Sequence, residues 1–221
     1  MHTNTQHCVH TGNIAEALDH TLKCGDRVIL GEGNATELEL RLNISAGLFQ
    51  SSTFAVGAFL LATEDDSEAL RVSFSPRTLA GAAFNGSNVA IDLRSTNDDT
   101  AKTIANTTSA GDWPWRSVIP APFAAPATGV LQLRIFLDVN VLEVFAADCH
   151  CPSAVSTLTA CDCSQPEQAV ALTALAAPSM AAGSRANRVG LFAHCGAATG
   201  FIFPASSQAW KLRPAEFTRG A

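Results

Sequence analysis

From Val130 to Ala146 the chain reads VLQLRIFLDVNVLEVFA, and apolar and polar positions alternate along its first half. Leu131, Leu133, Ile135 and Leu137 project to one side and Gln132, Arg134, Phe136 and Asp138 to the other, the period of a strand with one buried face. Val139-Asn140 supplies a two-residue turn, because Asn tolerates positive φ. A turn there sets Leu137 against Leu142, Ile135 against Val144 and Leu133 against Ala146. Every apolar pair then shares one face, so turn and pattern specify the same register. On the other face Glu143 stands opposite Phe136 with Arg134 as its diagonal neighbour. That predicts an Arg134–Glu143 ion pair, with Asp138 hydrogen-bonding the turn backbone.

The same reading extends along the chain. Thr36–Ile44 alternates strictly, with Leu38, Leu40, Leu42 and Ile44 inward. Thr53–Ala62 is continuously apolar and predicts a strand buried on both faces. Val28–Leu30, Leu70–Phe74 and Val89–Leu93 predict further strands, as do Val155–Thr159, Arg188–Phe192, Gly200–Phe203 and Ala209–Leu212, the last two split by Gly and Pro. Ala169–Ala177 fits helix or strand, since Ala favours helix while its place between strands favours a strand. Asn97–Phe123, with Pro114, Pro120 and Pro122, reads as a long loop or weakly paired strand. Ile14–Lys23 carries apolar residues at 14, 17, 18 and 22, the spacing of a short helix. These elements predict an all-β, antiparallel β-sandwich of two packed sheets with a short N-terminal helix. Three spans are expected: a tail and linker helix over 1–24, one sandwich domain over 25–213 and a tail over 214–221.

Composition narrows the function. In 221 residues, 47% hydrophobic and 15% charged positions suit a globular core, and a net charge of -6 argues against nucleic-acid and anionic-membrane partners. No apolar run approaches the roughly 20 residues of a membrane span. Seven Cys and four Asn-x-Ser/Thr sequons, at Asn34, Asn43, Asn85 and Asn106, suit an extracellular or vacuolar protein, although Met1–His10 shows no signal peptide.

The hairpin segment carries a resemblance. Leu133, Arg134, Ile135, Phe136, Asp138, Glu143, Val144 and Phe145 in LRIFLDVNVLEVF resemble the signature of the C-terminal β-sandwich module of glycoside hydrolase family 32, the β-fructofuranosidases. Asn140 stands where that signature usually has Ser. Trp210-Lys211-Leu212 is similar to the family's closing strand. The resemblance implies a concanavalin-like sandwich, no metal or other cofactor, and an N-terminal five-bladed propeller catalytic domain as partner. It also implies a parent activity on terminal β-D-fructofuranosides such as sucrose or fructans. Arg134, Asp138, Glu143 and Phe145 are then signature residues of structural role.

Catalytic residues do not follow from the resemblance. The family's nucleophile, transition-state stabiliser and acid lie in N-D-P, R-D-P and E-C motifs, and this sequence contains none of the three. Asp138 and Glu143 share a face without being opposite, which makes them a poor acid–nucleophile pair. The expected catalytic set is therefore empty, and the chain alone is expected to be inactive. Trp113 and Trp115 are candidate sugar-stacking residues, although Trp in such a place more often caps a sandwich. A lectin-like carbohydrate-binding sandwich, with Phe136 or Phe145 as a further platform, and a purely structural domain are the alternatives.

Cys149, Cys151, Cys161 and Cys163 form two Cys-x-Cys pairs around nine residues. A hairpin centred on Ser156 would face 149 with 163 and 151 with 161, which allows two disulfides, four free thiols or a four-thiolate zinc site. Cys-x-Cys is weak evidence for zinc, and disulfides are the favoured reading. The resemblance instead implies a turn near Ala147–Ser153 with a strand after it, and here Cys149 replaces that turn's usual Asn, Asp or Gly.

Overall fold

A computed structural model of the chain describes residues 10–33, 35–44, 54–63, 69–76, 87–95, 118–138, 141–151, 161–175, 187–194 and 202–212. Twelve strands make up these residues: β1 (His10–Lys23), β2 (Arg27–Glu32), β3 (Ala35–Asn43), β4 (Ala55–Ala62), β5 (Ala69–Ser75), β6 (Asn88–Ser95), β7 (Val118–Pro122), β8 (Val130–Asp138), β9 (Val141–Asp148), β10 (Ala169–Leu175), β11 (Arg188–His194) and β12 (Ile202–Leu212). They form two six-stranded antiparallel sheets, ordered β1-β12-β3-β8-β9-β10 and β2-β11-β4-β5-β6-β7. Two meanders, β8-β9-β10 and β4-β5-β6-β7, supply the consecutive strands, and the remaining strands cross between sheets.

The core lies between the sheets. Leu38, Leu40 and Leu42 of β3, Leu131, Leu133, Ile135 and Leu137 of β8, and Leu142 and Val144 of β9 meet Val56, Ala58 and Leu60 of β4 and Leu70, Val72 and Phe74 of β5, all buried. Hydrophobic burial of alternate residues from both sheets is the standard means of closing a sandwich. The β8–β9 register follows the alternation, with Leu137 paired to Leu142, Ile135 to Val144 and Leu133 to Ala146. β8 starts from a turn in which the Gly129 N–H bonds the Pro126 carbonyl at 2.9 Å and the Ile44 N–H bonds the Gly129 carbonyl at 2.8 Å. Gly129 sits at φ 78°, where only glycine avoids a steric cost.

β4 is buried along its whole length, because its outward residues also form a cluster. Phe59, Ala62 and Ala69 pack there with Phe192 at their edge, and the Arg27 guanidinium lies 3.9 Å above the Phe59 ring. Phe59 crosses Gly190 of the neighbouring strand; a Cβ at Gly190 would overlap the Phe59 ring and the Val28 carbonyl.

Two sequence expectations change, and one open alternative is decided. The helix over residues 14–23 is instead part of β1, an edge strand paired with β12, so this stretch of the expected linker lies in the sheet. Ten residues give too few hydrogen bonds to hold a helix without tertiary support. The register with β12 slips at three places, and between Ala15 and Leu18 three steps of β1 face two of β12. Such bulges break strict two-residue alternation and mimic helical spacing. The two strands expected over 200–203 and 209–212 are one, β12. Its Pro204 pairs with Thr21 of β1 just before β12 gains β3 at Ala205–Leu42, so the missing N–H faces no second ladder. Residues 169–175 resolve to strand, because β9 offers them a continuous partner. The strand expected over 155–159 lies outside the described residues. Among the described residues there is no helix, and none long and apolar enough to cross a membrane.

Ile135 is fully buried at the centre of this packing. Ile135→Ala is expected to lower unfolding stability by about 2–5 kcal/mol, read by urea denaturation, since the sheets on both sides limit collapse into the void.

Candidate functional site

Two features of the β3–β8–β9 region hold functional groups: the solvent face of its sheet and the stapled end beyond β9. On the solvent face the ladder aligns Trp210, Glu37, Phe136, Glu143 and Thr173 in one row, and Gln208, Glu39, Arg134, Phe145 and Ala171 in the next. Alternation alone puts these residues outward, because their neighbours fill the core.

Arg134 Nη2 bonds Glu37 Oε1 at 2.9 Å, and its Nε lies 4.0 Å from Glu39 Oε2. Glu39 also accepts from Arg41, at 3.0 Å from Nη2, and from Gln132 Nε2 at 2.9 Å. Glu37 is only 5% exposed, so its charge needs these donors. The expected Arg134–Glu143 pair is not formed: Arg134 turns to β3, its other neighbour, and Glu143 sits across from Phe136 and Thr173. A hairpin read in isolation shows one side of β8, whereas β8 has ladders on both.

The Arg134 guanidinium lies 5.3 Å from the Phe136 ring centre, and Phe136 meets Phe145 edge-to-face at 5.9 Å. Phe145 is 44% exposed, and Val141, at the start of the same strand, is exposed as well. Asp138 is exposed at the end of β8, opposite Ala35 and Val141. Asp138 and Glu143 are diagonal across the hairpin rather than facing. The turn residues expected to donate backbone hydrogen bonds to Asp138, and Trp113 and Trp115, lie outside the described residues.

Beyond β9 the chain forms a short ribbon. His150 and Asp162 exchange both backbone hydrogen bonds, at 2.7 and 2.8 Å. On either side, Cys149 is bonded to Cys163 and Cys151 to Cys161, with Cα separations of 4.2 and 4.3 Å. These are the close, non-hydrogen-bonded positions of an antiparallel ladder, which bring sulfur atoms within bonding reach. The four thiols are thus consumed in disulfides, and Cys24 is disulfide-bonded as well.

The ribbon is anchored to the sheet. The Cys149 N–H donates to the Val130 carbonyl, Thr128 Oγ1 donates to the Cys149 carbonyl at 2.6 Å, and Arg41 Nη1 reaches the Cys161 carbonyl at 3.4 Å. A shallow pocket of about 200 Å³ opens here, lined by Thr128, Asp148, His150, Asp162 and Glu167 among others. Asp162 is held below the usual carboxylate range, first by the Ser164 side chain and backbone that donate to it and lastly by nearby His150. Asp148 accepts from the Gln168 N–H at 3.0 Å, a structural use. Among the described residues no three His, Cys, Asp or Glu side chains gather closely enough to hold a metal ion.

Glu37, Glu39, Arg41 and Gln132 were not singled out by the sequence. Their signal was present as the outward positions of two alternating strands, but which strands would be neighbours was not.

Fold and face together define an antiparallel β-sandwich module whose exposed sheet carries a charge network and an aromatic pair. The chain belongs to the glycosyl hydrolases family 32 C terminal family, whose family model matches residues 2–155. The fold is similar to part of a fructosyltransferase from A. japonicus, with a TM-score of 0.58 at 16% identity over 96% of this chain and 28% of that one. It is also similar to part of an exo-inulinase from Aspergillus awamori, with a TM-score of 0.52 at 20% identity over 90% of this chain and 29% of that one. The chain therefore spans less than a third of either enzyme's length. No curated protein matches the sequence.

Two outcomes are expected. Arg134→Ala removes one donor at Glu37 and should cost about 1 kcal/mol, reduced by the half-exposed guanidinium, whereas Glu143→Ala should change stability by less than about 0.5 kcal/mol; equal losses in thermal melts would contradict the β3 pairing. Replacing Cys149 and Cys163 together by Ser, with the nested Cys151–Cys161 bond still in place, frees only the ring of about six residues between the two bonds and should cost about 2 kcal/mol, or about 4–8 °C in Tm. Without reductant all four thiols of the ribbon should resist alkylation, a result readable by mass spectrometry.

Proposed function

We propose that this chain is the accessory sandwich of a β-fructofuranosidase-like glycoside hydrolase. The observation that carries the reading is the family match over residues 2–155, which takes in the β8–β9 signature hairpin. Its partner is an N-terminal five-bladed propeller that supplies the nucleophile and acid for hydrolysis of terminal β-D-fructofuranosides.

The division of labour has chemical support. Glycoside cleavage with retention needs two carboxyl groups about 5–5.5 Å apart with separate roles as acid and nucleophile. On the described face Glu37 and Glu39 are committed to arginine, and Asp138 and Glu143 do not face each other. The sandwich offers a rigid support instead, its charge network fixing the outer surface. An extracellular or vacuolar setting belongs to the same proposal, supported by five disulfide-bonded cysteines and by the exposed sequon residue Asn43; thiols found free on chain isolated from its source would oppose it.

A second reading, lectin-like sugar binding, is favoured by the exposed Phe145 standing edge-to-face with Phe136, an amphipathic platform of the kind sugar rings stack on.

The purified 221-residue chain is expected to release no reducing sugar from sucrose or inulin, and release abolished by D138N/E143Q would overturn the accessory reading. Calorimetric titration of the same sample with fructo-oligosaccharides separates the second reading: heat lost in Phe145→Ala supports it, and an unchanged or absent signal removes Phe145 as a platform.

A further inference from the structure

A sheet edge presents unpaired N–H and C=O groups that can pair with another chain, and natural proteins guard such edges with charge, proline, bulges or short length. Among the described residues the two sheets end on four edge strands, β1, β10, β2 and β7. β1 contains Glu16, Asp19 and Lys23 and slips register three times. β2 is six residues long, bounded by Arg27 and Glu32, and its pairing also slips. β7 has prolines at positions 120 and 122 within five residues. β10, Ala-Val-Ala-Leu-Thr-Ala-Leu, has no charge, proline or glycine and pairs with β9 over seven residues without a slip.

Among the described residues the core is also left partly covered at this edge. Val170 and Leu172 pack against the core but remain half-buried, while Ala146 and Val144, their partners on β9, are fully covered. Among the described residues no strand pairs with the outer side of β10. The edge is held in place for pairing. Gln168, just before β10, accepts from the Ala124 N–H and donates to the Ala124 carbonyl, each at 3.0 Å, tying β10 to the end of β7 in the other sheet. A pre-positioned edge loses little further entropy on pairing.

We propose that β10 is the docking edge for a second copy of this chain, which adds its own β10 antiparallel across a two-fold axis through Leu172. The segment is self-complementary in that register. Leu172 meets Leu172 of the second copy and Val170 meets Ala174, all on the core side, so the two cores join. Ala171 meets Thr173 on the solvent side, where both are exposed. No like charges oppose one another, the condition that blocks most edge-to-edge pairs. A closed two-fold contact of this kind uses up the free edge of both copies and does not propagate.

The test is light scattering after size exclusion of the 221-residue chain and two variants at solvent-facing positions, with folding checked by circular dichroism and melting. The wild type is expected at twice the chain mass. A171K/T173K puts like charges face to face across the axis and should run at the chain mass. A171K/T173E puts each new cation opposite a new anion of the other copy and should restore the doubled mass. A monomeric wild type overturns the proposal. So does a dimer that survives A171K/T173K, and so does failure of A171K/T173E to restore it. An unrelated extended peptide as the natural occupant corresponds to the first of these results.

Discussion

Everything in this molecule depends on the register of one hairpin. With Ile135 beside Val144 and Leu137 beside Leu142, the inward faces of β8 and β9 are wholly apolar, and a one-residue slip of β9 would turn Glu143 and Phe145 inward and Leu142 and Val144 out to solvent. The free energy of that exchange fixes the pairing more firmly than any hydrogen bond in it, because ladder bonds form equally well in either register. β3 then adds on the far side with Leu38, Leu40 and Leu42 continuing the same surface. The second sheet packs onto a surface that these three strands have already set.

The solvent face follows as a consequence. Once the leucines point inward, Glu37, Glu39, Arg41, Gln132 and Arg134 are forced together outside, and cross-strand spacing brings carboxylate and guanidinium within bonding range. Glu37, nearly enclosed, makes the network selective: a buried carboxylate tolerates few arrangements of its donors. The disulfide ribbon continues the pattern beyond β9. There two cystines straddle the hydrogen-bonded pair His150–Asp162, and Cys149 and Cys161 pack with Val130 in a small buried cluster.

Much of this was legible beforehand, and the failures have physical causes. Period-two alternation revealed β3, β8 and β9, since each has one wet and one dry face, and the continuous apolar run announced β4. The N-terminal strand was misread as helix because bulges against β12 spoil its alternation. Pro204 suggested a break that the sheet avoids by placing it where only one neighbour is present. Arg134 was assigned to Glu143 because a hairpin has one internal neighbour, while a central strand has two.

The sequence by itself determined the class of fold, the register of the central hairpin and the family signature within it, because these rest on local periodicity and on residues adjacent in the chain. Only the tertiary structure decided which strands lie side by side, and therefore which charges pair, which edge is left unguarded and how the outer face is composed. Those outcomes depend on contacts between segments such as β3 and β8, far apart in the chain. Such contacts leave no periodic trace, since the free energy of joining two sheets is shared over the whole buried surface.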